Sequence, residues 1–259
     1  MMKRGLGRHV YGLAAIAFGV IALIWPEPRH WPELRLMGDV PGRRILLSAA
    51  AAILILGGVA IQGRKSARAG AAALGGINLI FALLLVPQVV KEPGVYNSLG
   101  NLFEPLSLLA AALIVYGSVR GESGRTGRLA RMGYGLFGIS VVSFTIEQAV
   151  YLAPTIALVP KWIPPGQKFW AIATTIAFAL AAVALLTGRS ALLAARCLTA
   201  MLILFGLVVW MPVCFADPHK MSNWSENVMN LAIAGAAWIV ADYLAGRRSR
   251  RSNLDSARP

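Results

Sequence analysis

Charged residues are scarce in this sequence. They make up 14% of its 259 residues, whereas hydrophobic residues make up 57%. A typical water-soluble domain carries roughly 25% charged residues. So few charges exclude an ordinary water-soluble core and surface, and the composition predicts an integral membrane protein with the lipid bilayer as its main partner.

Cysteine and histidine are also rare, with two and three residues respectively. Cys197 and Cys214 form no CxxC pair, and on one helix they would lie about 25 Å apart, beyond disulfide reach. The histidines, His9, His30 and His219, lie outside the membrane-crossing runs, so a membrane haem would lack its two axial ligands. No zinc spacing, nucleophile elbow, P-loop or dinucleotide fingerprint occurs. The sequence therefore predicts no catalytic constellation and no cofactor held by this chain alone.

Long apolar runs, in contrast, are abundant. With a few flanking residues, eight of them can cross about 30 Å of hydrocarbon. We expect spans at Val10–Trp25, Ile45–Ile61, Ala69–Val86, Leu102–Val119, Leu129–Leu152, Phe169–Leu186, Cys197–Val213 and Val228–Ala245. The predicted fold class is therefore an all-α polytopic membrane protein with eight transmembrane helices.

Basic residues outnumber acidic ones by 25 to 11, which in a soluble protein would suggest nucleic acid as a partner. Here they form clusters between alternate spans, as the positive-inside rule requires, so no nucleic-acid binding is expected. Both termini are then cytoplasmic, and the expected location is the plasma membrane of a prokaryote. The clusters include Lys3, Arg4 and Arg8; Arg64, Lys65 and Arg68; Arg120, Arg125, Arg128 and Arg131; Arg189 and Arg196; and Arg247, Arg248, Arg250 and Arg251.

The two halves of the chain resemble each other. An RxxYGL segment occurs at Arg8 and again at Arg131, 123 residues later, and further matches follow at offsets of 122 to 125. Four spans per half is an even number, so both halves enter the membrane the same way up. We therefore expect two parallel-repeat four-helix bundles, 1–122 and 123–246, related by a pseudo-twofold axis along the membrane normal, and a basic cytoplasmic tail, 247–259. The further matches are Pro41-Gly42 with Pro165-Gly166, Gly63-Arg64 with Gly188-Arg189, Val86-Pro87 with Met211-Pro212, and Asn101-x-x-Glu104 with Asn223-x-x-Glu226.

Each half resembles the DoxX-like four-helix membrane proteins. The likeness lies in the opening RxxYGL helix, the outer loop with Trp and Pro, the Gly-Arg inner turn and a fourth helix headed by NxxE. It covers nearly the whole chain, twice, whereas the common form has one unit. Some members of the family accompany quinone-linked sulfur oxidation as membrane subunits. The resemblance thus implies a possible quinone ligand and an oxidoreductase partner subunit.

The paired NxxE motifs have two interpretations. In one, Asn101 and Asn223 cap the fourth helix of each half, and Glu104 and Glu226 reach back to the cap amide. In the other, the two carboxylates face an outer vestibule and bind a cation, a proton or a polar headgroup. Pro105 follows the first glutamate and Asn227 the second, so the two sites differ chemically.

Further polar and aromatic residues are predicted near the outer face. Glu147, 18 residues along the fifth span, should lie near the outer boundary, and it has no acidic counterpart in the first half. Asn230 lies one turn after Glu226 and Trp224 lies within the second NxxE motif, whereas Asn78 suits interhelical hydrogen bonding. Tryptophans are expected in an outer interfacial belt, although Trp31 and Trp162 could instead cover an apolar pocket; an inner belt is expected from Tyr11, Tyr116, Tyr134 and Tyr243.

These residues lead to one main hypothesis and two alternatives. The main one is a non-catalytic binder of a small amphipathic molecule, a quinone or a lipid, in an outward-facing pocket. The alternatives are an accessory membrane subunit of a quinone-linked oxidoreductase and a small-molecule transporter. The candidate ligand-binding residues are Glu104, Glu147, Glu226, Asn230, Trp224, Asn101 and Asn223.

Overall fold

The computed structural model describes residues 5–27, 31, 41–119 and 124–255. Within these ranges the regular structure is helical and contains no strand. We number the α-helices in chain order, with a π-helical turn, Gly206–Trp210, joining α8 to α9. The helices are α1 (Leu6–Ile24), α2 (Arg43–Gln62), α3 (Ala67–Lys91), α4 (Tyr96–Ser118), α5 (Gly124–Val150), α6 (Leu152–Leu158), α7 (Gln167–Thr187), α8 (Ala191–Phe205), α9 (Met211–Ala216) and α10 (Met221–Asp255).

Eight helical segments of the described chain are long and apolar enough to cross a membrane. They are α1 to α5, α7, the continuous segment Ala191–Ala216 formed by α8, the π-turn and α9, and α10. This confirms the predicted all-α polytopic membrane protein with eight spans. Both cysteines lie on the segment Ala191–Ala216 and both are free, as expected.

Several spans begin before their apolar runs, because basic and polar residues at the membrane surface continue the helix. The first begins at Leu6 rather than Val10, and the last at Met221 rather than Val228. The last helix also continues to Asp255, so the predicted tail is helical up to that residue. Outside the described residues lie Lys3, Arg4, His30, Arg120 and the final positions 256–259.

The spans form a ring in which each packs against the next. Contacts run from α1 through α2, α3, α4, α5, α7 and α8 to α10, and α10 closes the ring on α1. Across the centre, α4 also packs against α10. Exchanging the halves maps the α1–α10 contact onto the α5–α4 contact, which is the pattern that a pseudo-twofold axis would give.

Helix boundaries give a finer correspondence between the halves. Helices α2 and α7 begin 124 residues apart, and so do α3 and α8, whereas α1 and α5 begin 118 apart and α4 and α10 begin 125 apart. The π-turn adds one residue within the seventh span, because its wider turn holds one more position than an α-turn. The offset is 125 between Pro87 and Pro212, and Pro212 follows the π-turn. The duplication stays a prediction, and the registers of the two middle helix pairs support it.

The predicted inner belt of tyrosines is wrong for two of its members. Tyr11 and Tyr243 are buried in the core, with 1% and 2% of their surface exposed. The Tyr11 hydroxyl donates to the Leu108 carbonyl oxygen at 3.0 Å, and the Tyr134 hydroxyl donates to the Leu185 carbonyl oxygen. The tyrosines of the two RxxYGL segments therefore bind neighbouring helices, which explains why this segment carries a tyrosine.

We predict that the connection after α2 and the connection before α7 lie on opposite sides of the membrane. In a background without Cys197 and Cys214, a Lys161→Cys variant should react with a membrane-impermeant maleimide in intact cells. A Lys65→Cys variant should react only after permeabilisation, because an odd number of spans separates the two sites and the basic one faces the cytoplasm. Equal labelling of both variants in intact cells would contradict the topology.

Candidate functional site

A cavity of about 990 Å³ lies in the second half of the molecule. It is bordered by α5, α6, α7, the α8–α9 segment and α10, with two residues of α4, at the end where α4 and α10 begin and α5 ends. According to the predicted topology, this end is the outer one. Binding sites for small molecules measure roughly 300–1,000 Å³, so the cavity is large enough for a ligand.

Three glutamates line this cavity: Glu104 from α4, Glu147 from α5 and Glu226 from α10. Glu147 and Glu226 place two carboxylates on the wall of the same cavity. Two negative charges in one cavity favour a ligand group that is positively charged or donates hydrogen bonds. Among the described residues, no three Asp, Glu, His or Cys side chains are placed to hold a metal ion.

Glu147 is held against the backbone of α4 at Gly100. A Cβ atom added at Gly100 would lie 2.6 Å from the carboxyl carbon of Glu147 and from both of its carboxyl oxygens. A side chain at this position would displace the carboxyl group, so the glycine makes room for it. The contact joins the last span of the first half to the first span of the second.

Two tyrosines fix the same junction near the outer end. The Tyr96 hydroxyl donates to the Ser143 carbonyl oxygen at 3.2 Å, and the backbone N–H of Asn97 donates to the Tyr151 hydroxyl oxygen at 3.1 Å. Both bonds tie the start of α4 to the outer part of α5. The acidic side of the cavity is therefore formed by a pair of helices that these hydrogen bonds hold together.

The rest of the cavity is mostly apolar. Aromatic side chains from four segments form much of its wall, and the π-turn adds further apolar side chains. A π-turn widens the helix locally and presents side chains that an α-helix would direct elsewhere. The wall includes Phe144, Phe178, Phe205, Trp170, Trp210, Val208 and Val209.

Two asparagines of α10 line the cavity and also bind neighbouring backbone. The Asn230 side-chain N–H donates to the Leu202 carbonyl oxygen at 2.8 Å. Asn223 donates to the carbonyl oxygens of Asp217 and Val213, at 3.0 and 3.3 Å. Each therefore holds α10 against the preceding span. Asn78, predicted to bond between helices, instead donates to Leu74 of its own helix at 2.8 Å.

The capping interpretation of the NxxE motifs is wrong. Helix α4 begins at Tyr96 with Val95 as its N-cap, so Asn101 and Glu104 lie inside the helix. Helix α10 begins at Met221, and Asn223 bonds to the preceding segment through its side-chain N–H. A cap would need its side-chain oxygen to accept from a first-turn amide. The glutamates are thus available to the cavity rather than required at a helix end.

Two of the seven candidate residues lie away from the cavity wall: Asn101 and Trp224. Trp224 donates through its indole N–H to the Pro218 carbonyl oxygen at 2.9 Å and packs edge-on against Phe215. It stabilises the turn before α10. The other five candidates, Glu104, Glu147, Glu226, Asn223 and Asn230, all line the cavity.

Sequence reasoning missed the contribution of α6 and its neighbours. Pro154, Thr155 and Leu158 line the cavity from this short helix. A seven-residue helix in an outer connection is too short for hydropathy to detect. The sequence signal for this part of the wall was Gln148, a polar residue next to Glu147. Gln148 also lines the cavity.

No family model, no curated protein and no solved structure matches this chain. The resemblance to DoxX-like proteins therefore depends on the sequence motifs alone.

We predict that Gly100→Ala displaces Glu147 and destabilises the α4–α5 junction. The added methyl group would overlap the carboxyl group, which is the far end of a flexible side chain and can move, so the cost in the free energy of unfolding should be about 1 kcal/mol, the low end for overpacking. Thermal unfolding in detergent checks this. Gly135→Ala is the matched control, because Gly135 lies in α5 with nothing within 4 Å of an added Cβ. If both variants melt alike, Gly100 does not position Glu147.

Proposed function

We propose that the protein binds a small amphipathic molecule, a quinone or a lipid, in the cavity of its second half. One observation carries the proposal: a cavity of ligand size joins a largely apolar wall to three glutamates. Small-molecule sites are commonly apolar with a few convergent polar groups that fix the ligand's orientation. The same combination suits a molecule with an apolar body and a polar head.

The wall supports burial of the apolar body. Phe178 and Phe205 pack with their ring centroids 6.4 Å apart, and Phe144 packs on Phe178 at 6.5 Å. These rings form a continuous aromatic surface in the cavity that also contains the carboxylates. Burying apolar ligand surface against them contributes about 25 cal/mol per Å².

The three carboxylates determine which polar head group of a ligand can bind. Lys220 is the one basic residue on the described wall, against three glutamates. An anionic head would meet net repulsion, whereas a head that donates hydrogen bonds or carries a positive charge would be stabilised. A quinone meets this requirement as its quinol, whose hydroxyl groups donate, and a lipid meets it through an ammonium group.

The position of the cavity supports a ligand that comes from the membrane. Its outer walls are α7 and the segment Ala191–Ala216, which have the smallest buried share of the eight spans. The site therefore lies at the periphery of the bundle rather than at its centre. A resemblance to DoxX-like proteins, with their quinone-linked members, agrees with such a ligand.

We predict that a double variant, Glu147→Gln with Glu226→Gln, loses the bound amphipathic molecule. A hydrogen bond to a charged group contributes about 1.5–3 kcal/mol, so loss of the charges should lower the retained ligand at least about tenfold. The measurement is mass spectrometry of molecules extracted from purified protein, in moles per mole of chain. It also identifies the ligand as quinone or lipid.

Glu27→Gln is the control for this experiment. Glu27 is a carboxylate outside the cavity that pairs with Arg44 at 3.1 Å, so its variant should keep the ligand. Full retention by the double variant, or no extractable molecule from the unaltered protein, would contradict the proposed function.

A second prediction fills the cavity without changing its charge. Val209→Trp places a large ring in the cavity wall at the π-turn, so retained ligand should fall at least about tenfold. Val183→Trp is the control, since Val183 is 61% exposed on α7 and its ring would face lipid. Equal retention by both variants would place the ligand elsewhere.

A further inference from the structure

The first half contains a small cavity of about 40 Å³. Its wall includes Leu54 of α2, Asn78 and Phe81 of α3, and Leu108 of α4. At the offsets that relate the halves, these positions correspond to Phe178, Leu202, Phe205 and Asn230. All four counterparts line the large cavity. At these four positions the small cavity therefore overlaps the place in the first half that the large one occupies in the second.

The side chain of Trp31 takes up this place in the first half. It comes from the connection after α1 and lines the small cavity, with 8% of its surface exposed. Its ring packs against Phe18, with the centroids 6.3 Å apart. Trp162, in the corresponding connection of the second half, is 73% exposed. The tryptophan after α1 is therefore buried at the small cavity, whereas the tryptophan before α7 is exposed.

The indole N–H of Trp31 is buried and has no acceptor among the described residues. Buried polar groups are normally hydrogen-bonded, since an unpaired group loses stability. Within the described wall, the ring of Trp31 is therefore held by packing and not through its indole N–H.

We infer that Trp31 is a tethered occupant of the first half's counterpart of the ligand cavity, and that a free aromatic molecule of indole size binds there when the ring is removed. The inference goes beyond the proposed function, because it concerns a second site and uses a different ligand. Trp31 is one cause of the difference in volume between the cavities. The other is α6, which adds wall to the large cavity only.

Truncation of Trp31 can have two outcomes. Neighbouring side chains can collapse into the space, which then takes up nothing. If the apolar wall stays open, the space can take up a small aromatic molecule instead. Uptake of a ring therefore shows that this wall keeps its shape without the side chain of Trp31.

The test uses full-length Trp31→Ala in detergent, with indole as the probe. Equilibrium dialysis should show one more indole bound per chain than in the unaltered protein, which can itself take up indole in the large cavity. Saturating indole should also raise the melting temperature of Trp31→Ala by at least about 3 °C more than that of the unaltered protein. Trp162→Ala is the control and should behave like the unaltered protein in both measurements.

Trp31→Leu keeps the test decisive if the alanine variant does not fold. Leucine retains an apolar side chain but leaves room for a smaller ring, so benzene should replace indole as the probe and give the extra bound molecule. Equal stoichiometry in the folded variant and the unaltered protein would overturn the inference.

This result is separate from the test of the proposed function. If Trp31→Ala binds no extra indole, the second half can still retain an amphipathic molecule. If the second half retains no such molecule, Trp31→Ala can still bind one extra indole.

Discussion

The contact between the Glu147 carboxyl group and the α4 backbone at Gly100 places one of the cavity's three carboxylates. A carboxylate at membrane depth is expensive unless it has partners or faces a polar space. Here it lies at the junction of the two halves, beside Glu226 and at the wall of a large cavity. The junction itself is braced by Tyr96 and Tyr151. The hydrogen bonds that stabilise this helix pair therefore also help to place the Glu147 carboxylate.

A few residue differences between the halves accompany the difference between their cavities. Where the second half has Glu147, the first has Ile24, and where it has Asn230, the first has Leu108. The π-turn inserts one residue into the seventh span, next to the cavity, and leaves the helices on either side in register. A single added residue thus reshapes one wall without changing the order of the ring. The two halves keep the same helix neighbours, and among the described residues the large cavity lies in the second half.

The sequence predicted the architecture well because hydropathy and charge report directly on membrane crossing. Eight spans follow from eight apolar runs, and the prediction of acidic residues near one end came from their distance along helices of known rise. It failed where local patterns have more than one physical meaning. The NxxE pattern is typical of a helix start, yet α4 begins five residues earlier because Tyr96 and its neighbours also pair with α5. Tyr11 suits an interface by type, but its hydroxyl finds a buried carbonyl oxygen on α4.

Features that depend on three-dimensional fit were beyond the sequence. Nothing in the pattern around Gly100 indicates that a carboxyl group from another span lies against it, and α6 is too short to stand out. Trp31 and Trp162 look alike as residues in proline-rich outer connections, yet one is buried and the other exposed. The connection between α5 and α7 contains α6, which lines the large cavity, and Trp162 of the same connection stays exposed. The two halves thus differ in what lines their cavities, which is a buried tryptophan in the first and the short helix α6 in the second.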